Sequence, residues 1–271
     1  MADVATLIQQ LNNADNNVQS EASKALIAIG QAAVTPLIAA LPASNGRARM
    51  RIVSVLVSIG DVQALPHLLG LINDPDQSVR HVLSTTLGRF AADPRTIPAL
   101  EKLAQSDPDS GVRSAAAYTL ANRIKGVNTL PLLIQQMYDA DQFVAMGAIQ
   151  SVGKQGGDEA VSALLKALTD IDPKCVGVVV MALGSTRSPR AFEPILPFLK
   201  SDTPSVRAAT ATALGEIGDQ RAVDTLTPLL NDKQVAYYGE RGAPDQTVAD
   251  LAQEALKKFN VPKKKSWFFG R

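Results

Sequence analysis

The sequence predicts an all-α, right-handed α-solenoid of about eight helical hairpins. Apolar residues recur with helical spacing, as Val206, Ala209 and Leu214 do along the stretch that ends at Gly218. This pattern returns about every 31 residues along the chain. A residue suited to cap a helix stands three positions before each copy. One helical pair cannot bury its own apolar stripe, so the copies are expected to stack.

Each copy, here called a repeat, is defined by an anchor, the apolar or small residue that begins the pattern of its second helix. The eight anchors are Val18, Ala48, Val79, Val112, Val144, Cys175, Val206 and Val248. The residues three positions earlier are predicted N-caps, which accept hydrogen bonds from the first amides of a helix. They are Asp15, Asn45, Asp76, Asp109, Asp141, Asp172, Thr203 and Asp245.

The first helix of each repeat, helix A, is predicted before a short loop, and the second, helix B, runs about thirteen residues from near the anchor. The predicted helices A are Val4–Leu11, Ala32–Leu41, Val62–Ile72, Arg95–Ala104, Asn128–Tyr138, Asp158–Leu168, Arg190–Leu199 and Ala222–Leu230. Prolines recur within them, as at Pro36 and Pro66. A proline past the first turn removes one backbone hydrogen bond, so a bend is expected there.

Composition divides the chain into a repeat solenoid at residues 1–260 and a basic aromatic tail at residues 261–271. The net charge is +1, but residues 257–271 carry six basic side chains and no acid, so the body is mildly acidic. This balance disfavours a nucleic-acid groove. The start lacks the order of a signal peptide, and no apolar run approaches the ~18 residues of a membrane span. A cytoplasmic protein is therefore expected.

The chain is poor in catalytic groups, and neither catalytic residues nor a metal site are predicted. His67 and His81 are the only histidines, and one cysteine cannot complete a metal site of three or four ligands. Cys175 takes an anchor position, which predicts a buried apolar role rather than a nucleophile. The glycines of residues 153–157 follow no strand, so they do not meet the context of a phosphate loop.

The pattern Asp-Pro-Asp-x-x-Val-Arg, followed by an alanine-rich helix and Leu-Gly, resembles HEAT repeats. The short period is similar to that of the HEAT-like repeats of cyanobacterial phycobilin lyases. This resemblance covers about residues 1–260 and implies a ladder of Asp and Arg side chains from repeat to repeat. The matching positions are Asp74 with Arg80 and Asp107 with Arg113, while Asp139 and Asp170 keep the acid opposite Ala145 and Val176. The ladder should therefore be interrupted, leaving unpaired carboxylates or a changed surface.

Arginines of the helices B form one set of candidate partner-binding residues. In such stacks the helices B line the concave face, where guanidinium groups could hold acidic segments or bilin propionates. Arg80 and Arg113 are expected to be used by the ladder. Arg49, Arg89 and Arg123 lack a matching acid and are the predicted binding residues.

An insertion before the last repeat supplies further candidates, since the distance between Val206 and Val248 exceeds the period by about eleven residues. Tyr237, Tyr238 and Arg241 suit an adaptable contact surface. The alternative is a loop that folds back and shields the terminal repeat.

The tail holds the only tryptophan, and Trp267, Phe268 and Phe269 follow three lysines. They could dock on an acidic partner or, weakly, on an anionic membrane surface. The alternatives are aromatics that fold back over the last helix, or a frayed end.

These observations favour a non-catalytic scaffold that binds a protein partner on its concave face. The resemblance implies a phycobilisome-associated, photosynthetic setting, with a phycobiliprotein or another photosynthetic assembly as partner, in the cytoplasm or at the cytoplasmic face of a thylakoid membrane. The alternative it implies is a subunit of a phycobilin lyase, which attaches or detaches a bilin at a phycobiliprotein cysteine. A membrane-associated assembly factor, tethered by the basic aromatic tail, is a further class that stays open. No cofactor is expected for the scaffold, and a bilin only under the lyase alternative.

Overall fold

The structure, a computed structural model, describes residues 3–239 and 244–259. It confirms the all-α solenoid fold, because helical pairs stack in chain order within each half of the chain. The chain divides between Leu132 and Leu133 into two compact units, unit 1 on the N-terminal side and unit 2 on the C-terminal side.

The described residues of unit 1 form eight α-helices, and a ninth crosses the boundary of the unit. They are α1 (Val4–Gln10), α2 (Asn16–Ile29), α3 (Val34–Ala40), α4 (Gly46–Ile59), α5 (Leu65–Gly70), α6 (Gln77–Thr86), α7 (Thr96–Ser106), α8 (Ser110–Arg123) and α9 (Leu130–Gln136). The helices B are α2, α4, α6 and α8, and each packs against the next. Leu26, Leu56, Leu83 and Leu120 lie in the core of the unit.

Unit 2 continues the pattern and adds a short β-ribbon. Its α-helices are α10 (Gln142–Gln155), α11 (Gly157–Asp170), α12 (Val176–Thr186), α13 (Phe192–Ile195), α14 (Pro204–Ile217), α15 (Ala222–Leu226) and α16 (Val248–Lys257). Strands β1 (Val235–Tyr237) and β2 (Gln246–Thr247) pair antiparallel within the insertion. Here the helices B are α10, α12, α14 and α16, which again pack in succession.

Several helices A are divided into a 3₁₀ turn and an α segment instead of forming one bent α-helix. Pro66 takes one of the first two positions of α5, directly after the 3₁₀ turn Val62–Ala64. A proline there breaks no helical hydrogen bond, because the first amides of a helix have no partner. The other 3₁₀ segments are Gly30–Ala33, Leu87–Phe90, Pro173–Cys175, Pro189–Ala191, Leu196–Lys200 and Thr227–Asn231.

Six of the predicted N-caps accept the expected backbone hydrogen bonds: Asp15, Asn45, Asp76, Asp109, Asp141 and Asp172. Thr203 precedes α14 but makes no side-chain cap bond. The prediction for Asp245 is wrong. Thr247 caps α16 in a capping box with Asp250, and Asp245 accepts from the Gly239 amide at 2.9 Å. The N-cap of α16 therefore lies two residues after the predicted one, directly after the β-ribbon.

Close approach of the helices B in unit 2 depends on glycine at one repeat position, nine residues after the anchor. A Cβ added at Gly153 would lie 2.7 Å from the carbonyl oxygen of Ala182 on the next helix B. One added at Gly184 would lie 2.6 Å from Cα of Ala213. Both separations are shorter than van der Waals contact, so glycine sets the spacing of these helices.

On length and mean hydropathy alone, one described segment, Asn16–Ala40, could cross a membrane. Gly30, with φ of 69°, divides it into α2 and α3. Leu26 and Leu37 of these helices lie in the core of unit 1. Core helices of folded domains pass the same test, so the segment is weak evidence for a membrane span.

Candidate functional site

An arginine one position after the anchor links each of several repeats to the next. Arg80 donates from Nε and Nη2 to both carboxylate oxygens of Asp107, at 2.7 and 3.0 Å, and from Nη1 to the Asp74 carbonyl at 2.7 Å. Arg207 likewise binds the Asp232 carboxylate and the Ser201 carbonyl. The ladder therefore joins an arginine to the aspartate of the following repeat, and its bond to its own repeat is to backbone.

The prediction that Arg49 lacks an acid is wrong. Its Nε and Nη2 donate to the two carboxylate oxygens of Asp74 at 2.8 and 2.9 Å, and it is mostly buried. Burial is the largest single effect on Asp74 and opposes its ionisation. The hydrogen bonds from Arg49 and from the Asp76 amide, together with the charges of Arg49 and Arg80, outweigh burial and hold the pKa of that carboxyl below its usual value. Arg49 is a ladder residue, not a free binding residue.

At the interruption of the ladder, a tyrosine takes over the role of the missing arginine. Tyr138 Oη donates to Asp170 Oδ1 at 3.0 Å, and Lys166 lies 3.7 Å from the same carboxylate. Burial and the bond to Asp170 raise the pKa of Tyr138 to about 12. Ala145 and Cys175 line a cavity of about 150 Å³ beside it. The prediction of an unpaired carboxylate is therefore wrong for Asp170, and a small cavity marks the site.

Arg89 and Arg123 are exposed near the C-terminal ends of α6 and α8. Arg89 Nη2 lies 3.2 Å from the position that a Cβ on Gly60 would take. Arg123 Nη1 donates to the Thr85 carbonyl at 2.8 Å. Neither makes an ion pair within the described residues. Both stay predicted binding residues.

The insertion pairs with the start of its own helix B and contacts the preceding helix B, and it also exposes a tyrosine. Val235 pairs with Thr247, and Tyr237 with Gln246, at the entry to α16. Tyr238 is 82% exposed, whereas Tyr237 turns toward α14, with its Oη 3.4 Å from the Ser205 carbonyl. Arg241 lies outside the described residues, as do Trp267, Phe268 and Phe269 of the tail.

Beside Tyr237 lies a cleft of about 560 Å³ formed by the helices B of unit 2. We call it the Met–Tyr groove; its apolar lining residues are Met146, Val178, Met181, Val206, Ala209 and Tyr237. Its polar rim includes Gln150, Lys174 and Thr203. Phe143, three residues before Met146 on the same helix, is 86% exposed. The sequence analysis missed this groove. Its signal is the apolar side chains Met146, Val178 and Met181, at the second, third and sixth positions after their anchors.

The structure offers little for metal or nucleophilic chemistry. Within residues 3–239 and 244–259, no group of three or more His, Cys, Asp or Glu side chains could hold a metal ion. Cys175 is buried, and burial together with Asp172 raises the pKa of its thiol, which disfavours the thiolate. The predicted packing role of Cys175 is confirmed.

Stacked helical pairs joined by arginine–aspartate bonds define a solenoid repeat protein. The chain belongs to the HEAT-repeat family, whose model matches residues 4–84, 34–121, 69–153 and 161–243. Comparison with curated proteins finds no match.

Among solved structures, YibA of Escherichia coli is similar at 18% identity, over 95% of this chain and 92% of that one, with a TM-score of 0.60. Yeast importin-β (Kap95p) is also 18% identical, over 84% of this chain and 37% of that one, with a TM-score of 0.55. At this identity the likeness shows the fold alone. The CpcE–CpcF complex of phycocyanin lyase from Nostoc is 21% identical over 83% and 93%, but its TM-score of 0.42 carries no argument.

Proposed function

We propose that the chain is a protein-binding scaffold and that the Met–Tyr groove holds an apolar segment of its partner. The observation that carries the proposal is an open cleft of about 560 Å³ on the helix B surface, lined mainly by apolar residues. Binding sites in proteins are typically clefts lined mainly by apolar side chains with a few polar groups, which is the arrangement here.

The chemistry of the lining favours a short segment with large apolar side chains. Met146 and Met181 are flexible and polarisable, so they adapt to different shapes. Tyr237 adds a rigid aromatic wall whose hydroxyl lies near the Ser205 carbonyl. Lys174 at the rim favours a partner that carries an acid next to its apolar residues.

The test uses peptides selected from a displayed random library on the wild-type chain, with affinity measured by fluorescence anisotropy. We expect the selected peptides to carry clustered apolar residues and to lose affinity by tenfold or more on Met181→Glu and on Tyr237→Ala, about 1.4 kcal/mol. Val62→Glu is the matched control, because Val62 is an exposed apolar residue outside the groove. Equal affinity in wild type and both groove variants would contradict the proposal.

A finer proposal concerns the identity of the partner and the cellular location, and it depends on the repeat period and the family resemblance alone. In it the partner is a phycobiliprotein and the location is the cytoplasmic face of a photosynthetic membrane; the second candidate is a phycobilin-lyase subunit. Mixing the chain with a bilin, with and without a phycobiliprotein subunit, should shift the visible absorption of the bilin. An unchanged spectrum in both mixtures would exclude the lyase candidate.

A further inference from the structure

Arg51, on the helix B surface of unit 1, has a guanidinium nitrogen that no described residue hydrogen-bonds. It lies on α4, three positions after the anchor Ala48. Its Nη1 is shielded from solvent, and this nitrogen has no hydrogen-bond partner within the described part of the chain. Arg49, two residues earlier, binds its carboxylate with two nitrogens. A shielded and unpaired guanidinium nitrogen is destabilising, so a purely structural role does not explain Arg51.

Arg51 lines a cleft of about 320 Å³ between α2 and α4, here called the Arg51 cleft. Its polar lining residues are Asn16, Gln19, Ser20, Ser23, Ser54 and Ser58. The Ser23 hydroxyl donates to the Gln19 carbonyl. The hydroxyls of Ser54 and Ser58 make no hydrogen bond to the described residues, so both can donate to a ligand.

The charge in the cleft is not balanced. Among the residues that the structure describes, no acidic side chain lines it. Burial, and then repulsion from Arg47, lower the pKa of Arg51. An anion in the cleft would offset both effects, because it would bond the guanidinium and neutralise its charge.

We propose that the Arg51 cleft binds a carboxylate, presented by an aspartate or glutamate side chain of a partner protein. The guanidinium fork matches the two oxygens of a carboxylate, and the serine hydroxyls supply further donors. One arginine suits a single negative charge, whereas phosphorylated side chains are recognised by arginine clusters. The cleft lies within unit 1 and the Met–Tyr groove within unit 2, so this proposal stands whether or not the groove binds its segment.

The test is an NMR titration of the full chain, with isotope-labelled arginine, against N-acetylglutamate α-amide, in which the side-chain carboxylate is free and the backbone carboxyl is blocked. We expect a saturable shift of the Arg51 Nε resonance and none at Arg190, an exposed arginine of unit 2. Arg51→Met should abolish saturable binding, and Ser54→Ala with Ser58→Ala should weaken it several-fold while the guanidinium stays in place. Arg190→Met is the control variant and should bind like wild type.

The neutral and phosphorylated analogues decide the chemistry. The amide of N-acetylglutamine has the same shape without the charge and should give no saturable shift. The proposal is overturned if that analogue binds equally, if Arg51→Met binds like wild type, or if the shift at Arg190 matches that at Arg51. Binding of N-acetylphosphoserine α-amide that is tighter than binding of the glutamate compound would overturn the assignment of a carboxylate ligand in favour of a phosphoryl group. Should Arg51→Met fail to fold, the double serine variant decides: undiminished binding there overturns the proposal.

Discussion

At the scale of single residues, arginines at nearby positions have different environments. Arg80 and Arg49 donate to a carboxylate of the next repeat, whereas Arg51 lies in a cleft that no carboxylate of the described residues lines. Removing one member of a buried ion pair lowers the free energy of unfolding, because the partner left behind remains buried and charged. A shielded arginine nitrogen without a partner lowers it by being present. Stability measurements therefore distinguish the two kinds of arginine.

Arg80→Met should lower the free energy of unfolding by about 3 kcal/mol, since the Asp107 side chain is 2% exposed and would lose its counter-charge. Chemical denaturation measures the change. Arg95→Met, which removes an exposed pair with Asp93, is the control and should cost much less, because water screens an exposed pair. Equal losses in the two variants would show that the ladder adds nothing beyond a surface ion pair.

Tyr138 predicts an alkaline dependence of stability. Its folded pKa of about 12 lies above its usual value of 10.0, so its contribution is complete below about pH 10 and is lost as the pH rises toward 12. Tyr138→Phe should lower stability at neutral pH by about 1 kcal/mol. The variant should also lose less stability than wild type over this alkaline range. Parallel pH profiles for the two proteins would contradict the assignment of Tyr138 as the donor to Asp170.

At the scale of the helices, the packing of the helices B in unit 2 rests on backbone contact. Gly153, Gly184 and Gly215 occupy equivalent repeat positions and face Ala182, Ala213 and Ala255 of the following helix B. Glycine in a helix interior is intrinsically unfavourable by roughly 1 kcal/mol relative to alanine. Its presence here is explained by the helix–helix distance, which a methyl group would increase.

Gly184→Ala should destabilise the protein by about 2 kcal/mol, because the new methyl would overlap the backbone of Ala213. Gly147→Ala on α10 is the matched control. A Cβ there meets nothing within 4 Å, so the substitution should stabilise by about 0.5 to 1 kcal/mol. Thermal melts of both variants decide, and stabilisation by Gly184→Ala would refute the close-packing account.

The sequence was informative about the repeats because periodicity and capping are local properties. The anchors predicted every helix B, and six side-chain caps are present. The shift of the ladder by one repeat was not predictable, since it depends on how far Arg80 reaches across the stack. The substitution of Tyr138 for an arginine, and the lack of a partner for Arg51, follow from three-dimensional neighbours that no local pattern records.

At the scale of the whole molecule, the ladder couples stability to acid. Arg207 hydrogen-bonds Asp232 and lowers its pKa, and Arg49 lowers that of Asp74 against the effect of burial. A depressed folded pKa gives stability that is complete above the usual value of 3.8 and is lost as the pH falls through the folded value. The protein should therefore lose stability steeply below about pH 4.

The free energy of unfolding, measured between about pH 6 and pH 2, should fall less steeply in Arg49→Met than in wild type, because Asp74 then loses the hydrogen bonds and the charge that lower its folded pKa, while burial still opposes its ionisation. Arg190→Met removes an exposed charge whose partner Asp158 is 96% exposed, and serves as the control. An identical slope in Arg49→Met and wild type would place the acid sensitivity elsewhere.

The glycine positions also limit how the repeats can be recombined. A repeat with glycine nine residues after its anchor, such as that of Gly184, requires a small residue seven residues after the next anchor, such as Ala213. In the first two repeats, Ile27 takes the position of the glycine, nine residues after Val18, and Val55 takes the position of the alanine, seven residues after Ala48. Duplicating the repeat of Val206 behind itself should preserve this fit. Inserting the repeat of Ala48 there would place Val55 against Gly215, so this junction would need a larger separation.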